Sequence, residues 1–64
     1  MKLLDVVEII TNLPDYNLKI GDVGTIVEIY RDNFYEVEFC DMGKTIALVS
    51  IDGKDLKVVW ESRR

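Results

Sequence analysis

The residue types that most often do chemistry are sparse in this chain. It contains no histidine, so the commonest general base and metal ligand is missing. Neither a Ser-His-Asp nor a Cys-His arrangement can be built from its residues. The single cysteine, Cys40, stands beside Asp41 and two residues from Glu38. Those anions raise a thiol pKa, so Cys40 reads as an inert thiol on a strand. Glu36 and Glu38 are two apart and share one face of a strand. Their alternation with Tyr35, Val37 and Phe39 makes them the wet side of a half-buried sheet rather than a catalytic pair. Asp52-Gly53-Lys54-Asp55 lacks the ligand spacing and closing Glu of a calcium loop. Gly21-x-x-Gly24 leads into a strand, whereas a phosphate loop leads into a helix N-terminus. No catalytic residue, cofactor or metal is expected, and the domain reads as non-enzymatic.

What remains is the chemistry of contact. Tyr16, Tyr30, Phe34 and Trp60 fall where aromatic rings are expected to reach the surface, and aromatics are favoured at protein interfaces. The competing reading is that some of them close the ends of a small core. Tyr30 and Phe34 flank Asp32-Asn33, a two-residue turn between two strong strands. Both are out of phase with Val27, Ile29, Tyr35, Val37 and Phe39, the set expected inside. The hairpin Tyr30, Asp32, Asn33, Phe34 is therefore the expected contact surface, with Tyr16 and Trp60 as further candidates.

The elements that must hold these residues are strands. Period-two apolar patterns recur, and β-branched residues dominate the run from Asp5 to Thr11. Further strands are expected over Val23–Arg31, Phe34–Cys40, Lys44–Ile51 and Leu56–Trp60. Asn12 to Lys19 contains Pro14 and turn-favouring Asn and Asp residues, and reads as a loop pinned by Leu13 and Leu18. Gly21 and Gly43 mark turns, while Gly24 inside a strand implies a bulge or a close backbone approach. Asp52 to Asp55 reads as a turn or a short 3₁₀ turn. Five short strands with tight turns describe a small barrel or a rolled sheet. It forms one domain over residues 1–60, with 61–64 as a solvated tail.

Composition narrows the partners. The chain has 64 residues, 48% of them apolar, with twelve acids against eight bases and a net charge of -4. That balance argues against nucleic acid and against anionic membrane, whose affinity comes from Lys and Arg. It fits a soluble protein or one that meets a basic protein partner. A chain this short buries only about 60% of its surface, so a homo-oligomer stays open as a way to bury more. One cysteine and no signal-peptide or membrane-spanning pattern lead to an expected cytoplasmic location.

Several stretches are similar to a small bacterial family known as domain of unknown function 4926. They are Leu4-Asp5-Val6-Val7, Gly21-Asp22-Val23-Gly24-Thr25-Ile26-Val27-Glu28, Tyr35-Glu36-Val37-Glu38-Phe39, Asp41-Met42-Gly43-Lys44-Thr45 and Leu56-Lys57-Val58-Val59. The resemblance covers nearly the whole chain. It implies an SH3-like β-barrel, brings no catalytic residues, and points to a protein partner through the toxin–antitoxin genes that such domains sometimes accompany. The Gly-x-x-Gly-x-Ile part also resembles the KOW motif of ribosomal and transcription factors. There the turn is followed by basic residues; here Asp22, Glu28, Glu36 and Glu38 stand in that place. A KOW-like nucleic-acid adaptor and an accessory subunit of a larger enzyme are the alternatives to a binding module.

Overall fold

The computed structural model describes residues 1–63. Five strands run β1 Val6–Ile9, β2 Val23–Ile29, β3 Phe34–Asp41, β4 Lys44–Asp52 and β5 Leu56–Trp60. A 3₁₀ turn over Pro14–Tyr16 lies in the β1–β2 loop, and another over Gly53–Asp55 joins β4 to β5. All pairings are antiparallel, in the spatial order β4-β3-β2-β1-β5. The all-β, five-stranded expectation therefore holds. The barrel does not close: β4 and β5 are the two edges of the sheet and do not pair with each other.

The core lies on one face of the sheet. Val7, Ile9, Ile26, Val37, Phe39, Ile51 and Leu56 are buried there, joined by Leu18 from the β1–β2 loop. Each such side chain contributes roughly 1.5–3 kcal/mol by leaving water. Leu13 packs against this cluster and exchanges main-chain hydrogen bonds with Leu18, at 2.9 and 3.1 Å. The long loop is thereby pinned to the core. Tyr35, Val37 and Phe39 face inward, the alternation β3 shows in sequence.

The inward phase of β2 differs from the expected one. Ile26, rather than Val27, is fully buried, and Ile29 is 44% exposed. The cause is a bulge: Ile26 opposes Val37, but Glu28 opposes Glu36, so Val27 is an extra residue. An inserted residue reverses the side-chain alternation beyond it. Ile29, opposite Tyr35, returns to the core side but only at its rim.

Gly24 is buried on β2, packed tightly against β3. A Cβ there would sit 2.6 Å from Val37 Cγ1, 2.8 Å from the Glu38 carbonyl oxygen and 2.9 Å from Phe39 Cδ1. The sequence therefore needs glycine for lack of room. The C-terminal segment is also more than a solvated tail. Glu61 and Arg63 are exposed, but Ser62 is buried and its N–H donates to Asp5 Oδ1 at 2.6 Å. Arg64 lies outside the described residues.

Candidate functional site

The β2–β3 hairpin begins with its turn. Asp32 and Asn33 adopt φ of 63° and 64°, a left-handed backbone that Asn and Asp tolerate better than most residues. The Tyr30 N–H donates to the Phe34 carbonyl at 2.8 Å, which sets the two residues opposite each other. Ile29 and Tyr35, the next pair, face the core, so Tyr30 and Phe34 face away from it. Their exposures of 46% and 38% agree. The turn itself is anchored. The Asn33 carbonyl accepts from Gly53 N–H at 2.8 Å, and its side-chain oxygen accepts from the Tyr35 hydroxyl at 3.2 Å. A Cβ on Gly53 would come within 2.7–2.9 Å of the Asn33 amide group, so any side chain there displaces the Asn33 side chain.

The surface beside the two rings is acidic. Glu28 opposes Glu36, and Phe34 opposes Asp52 on β4, all on the outer face. Glu38 follows one pleat along and accepts from the Thr45 hydroxyl at 2.6 Å. The salt bridges among the described residues, Lys2–Asp5 and Lys54–Asp55, do not involve this face. Desolvation beside the sheet pushes the Tyr30 phenol above its ordinary value of 10.0, and the Glu36 and Glu28 carboxylates push it the same way. The result is a pair of rings bordered on the sheet by Glu28, Glu36 and Asp52, with Arg31 as the base in the turn between them.

The other two aromatic candidates are placed apart. Tyr16 lies in the 3₁₀ turn of the β1–β2 loop, its N–H donating to the Leu13 carbonyl at 3.0 Å. Trp60 ends β5 opposite Val6, in a row that continues through Thr25 and Glu38 to Leu48. That row shares the outer face with Phe34 but crosses β3 four residues away, about 13 Å at strand spacing. Tyr30 and Phe34 thus form one site, and Tyr16 and Trp60 stand outside it. Gly21 (φ 98°) and Gly43 (φ 80°) shape turns away from the site, and Gly24 packs the core side of β2.

Two features were not legible in the sequence. The first is an apolar groove of about 570 Å³ lined by Met1, Lys2, Leu3, Leu4, Val27 and Ile29. It exists because the β2 bulge turns Val27 and Ile29 toward the N-terminal turn, and a bulge has no local signature here. Leu4 stands beside it with φ 68°, an unusual conformation for a non-glycine residue. The second is Asp5, whose buried carboxylate accepts from Ser62 N–H at 2.6 Å and from Lys2 N–H at 2.8 Å. The Ser62 bond leads in holding the Asp5 pKa below its ordinary 3.8, against an opposing effect of burial. The carboxylate fastens both chain ends beside β1.

Among the described residues no group of three or more His, Cys, Asp or Glu side chains could hold a metal ion. No helix among them is long and apolar enough to cross a membrane. No curated protein and no solved structure matches the chain. A family model does match residues 3–58, and with nearly the whole sheet inside that span the chain belongs to the family described as Domain of unknown function (DUF4926).

Proposed function

We propose that the domain is a non-enzymatic protein-binding module that docks a basic segment of a partner protein on the outer face of the β2–β3 hairpin. The observation that carries this reading is the Tyr30–Phe34 pair, two outward rings held across a hairpin and bordered by the Glu28–Glu36 pair. Adjacent rings give an apolar anchor, and the Glu28 and Glu36 carboxylates beside them, outside the salt bridges of the described residues, attract and orient a cation. Rigidity matters as much as composition. The turn bonded to Gly53 holds the rings in place, so little ordering entropy is lost on binding.

The finer fold we favour is an open SH3-like barrel, the architecture that the family resemblance implies. One core wrapped by five short antiparallel strands supports it, with unpaired β4 and β5 as the open seam. A bacterial setting with a toxin-like protein as partner is what the same resemblance implies, and the single cysteine, Cys40, suits a reducing cytoplasm.

The test is affinity capture from the native cell with the wild-type chain and with the double variant Tyr30→Ser/Phe34→Ser, read by mass spectrometry. A protein held by the wild type, released by moderate salt and absent from the variant capture supports the proposal. Equal capture by both chains refutes this site. Recovery of ribosomal proteins with RNA would support the KOW-like adaptor instead.

A further inference from the structure

The N-terminal turn carries strain that the core does not explain. The Asp5 N–H donates to the Lys2 carbonyl at 3.2 Å, closing a β-turn over Lys2-Leu3-Leu4-Asp5. Of its two central residues only Leu4 has a positive φ, 68°. That position ordinarily takes glycine or asparagine, because a branched side chain is unfavourable on a left-handed backbone. Leucine gains nothing from the core in return. Leu4 is 40% exposed and belongs neither to the buried cluster nor to the apolar residues packed against it. Backbone strain spent on presenting an exposed apolar side chain points to a contact surface.

We propose that the groove walled by this turn binds a small amphiphile, an unbranched alkyl chain of medium length ending in a carboxylate. Size is the first support: the groove holds about 570 Å³, within the range of small-molecule sites. The walls are the second. Met1, Leu3, Leu4, Val27 and Ile29 line it, and all but the half-buried Val27 are exposed. An alkyl chain laid along them removes apolar surface on both sides from water. The main chain around the groove is already paired. The Leu4 N–H donates to the Ile26 carbonyl at 2.7 Å, the Ile26 N–H donates to the Asp5 carbonyl at 2.9 Å, and β2 is flanked by β1 and β3. An extended peptide therefore finds no ladder to join there, whereas an alkyl chain needs none.

Charge selects the head group. Lys2 is the one charged residue in the lining, and its side chain is half-exposed. Its ammonium lies 3.7 Å from Asp5 Oδ1, beyond hydrogen-bond reach. The Asp5 carboxylate is itself buried, does not line the groove, and already accepts from the Ser62 N–H at 2.6 Å and the Lys2 N–H at 2.8 Å. The Lys2 ammonium thus turns its donors to an anion lying beside the apolar walls. The same Asp5 bonds hold the turn in shape before the ligand arrives. The groove lies at the core-side rim of β2, while Tyr30 and Phe34 face outward, so the two sites are independent.

Titration of the isotope-labelled full chain with octanoate, followed by amide and methyl shifts, tests the proposal, with 1-octanol as the uncharged chain of the same length. Octanoate should shift Leu3, Leu4, Val27 and Ile29 saturably. Lys2→Gln should weaken octanoate binding roughly two- to fivefold, the scale of a half-exposed ion pair, and leave 1-octanol binding unchanged. Lys2→Arg should bind octanoate as the wild type does. Leu4→Gly should keep or raise the melting temperature while weakening both ligands, and Tyr30→Ser/Phe34→Ser should bind octanoate normally. Absence of a saturable shift at these residues overturns the proposal, as does equal octanoate binding by Lys2→Gln. A lowered melting temperature in Leu4→Gly would make the leucine a structural residue and refute its contact role. Shifts at the same residues that grow with protein concentration alone would place a second copy in the groove and refute the amphiphile.

Discussion

Replacing Gly24 with valine puts the packing account under direct strain. The first added carbon already meets Val37 Cγ1 at 2.6 Å, the Glu38 carbonyl oxygen at 2.8 Å and Phe39 Cδ1 at 2.9 Å. Val37 and Phe39 are buried in the core, and the Glu38 oxygen belongs to the main chain of the neighbouring strand. None of the three is the free end of a flexible side chain, so β2 must move away from β3. Overpacking of this kind costs roughly 1–3 kcal/mol. Restricting the unfolded chain offsets about 0.4–1 kcal/mol. The two extra methyl groups of valine add further contacts, so a net loss of about 1–2 kcal/mol is the expected minimum. For a domain of this size that lowers the melting temperature by roughly 4–16 °C. The assay is thermal and urea unfolding followed by circular dichroism, with Gly24→Ala and Gly53→Ala beside it. Gly53→Ala should cost less, because its clash is with the Asn33 side chain, which can shift. A Gly24→Val protein that melts within a degree or two of the wild type would refute the close approach.

Other consequences follow from the buried carboxylate, the acidic face and the net charge. Asp5 has a folded pKa below 3.8, so its contribution to stability is present above that value and is lost as pH falls through the lower folded value. Asp5→Asn should therefore melt lower than wild type at pH 7, with the gap narrowing in acid; a gap independent of pH would contradict the account. Glu36→Lys should raise stability by about 0.2–1 kcal/mol by replacing the like-charge pair with Glu28, while weakening partner binding. A urea titration read beside the binding assay checks both, and a destabilised variant would argue against the pairing. No RNA or DNA should bind at physiological salt, given a net charge of -4. Micromolar, steeply salt-dependent binding in a filter or fluorescence assay would overturn that expectation.

Much of the fold can be read from side-chain alternation, and the failures have specific causes. β3 is legible because Tyr35, Val37 and Phe39 alternate with Glu36 and Glu38 without interruption, and each face obeys one environment. The Asp32-Asn33 turn is legible because few residue pairs accept two left-handed positions in succession. The inner face of β2 is misread because Ile26, Val27 and Ile29 are all apolar, so a bulge among them leaves no trace in polarity. The burial of Asp5 leaves no mark in the local sequence, because its carboxylate is held by the Ser62 amide 57 positions away. The apolar groove fails for the same reason, since it joins the N-terminal turn to that bulge. Barrel closure is a property of how far the sheet curls, which strand count and turn lengths do not determine. Within the candidate site, the outward direction of Tyr30 and Phe34 follows from the β3 phase, whereas the tethering of Asn33 to Gly53 depends on a long-range contact.

Amide chemical-shift mapping measures most directly where a partner sits. The isotope-labelled chain is titrated with the protein captured by the wild type, and each backbone resonance is followed. Shifts are expected to concentrate from Glu28 to Glu36 and at Asp52, the neighbours of the Tyr30–Phe34 pair, and to be lost in Tyr30→Ser/Phe34→Ser at an unchanged melting temperature. Shifts confined to Met1–Leu4 and Val27, or to Trp60 and Tyr16, would contradict that expectation and move the binding site elsewhere on the sheet.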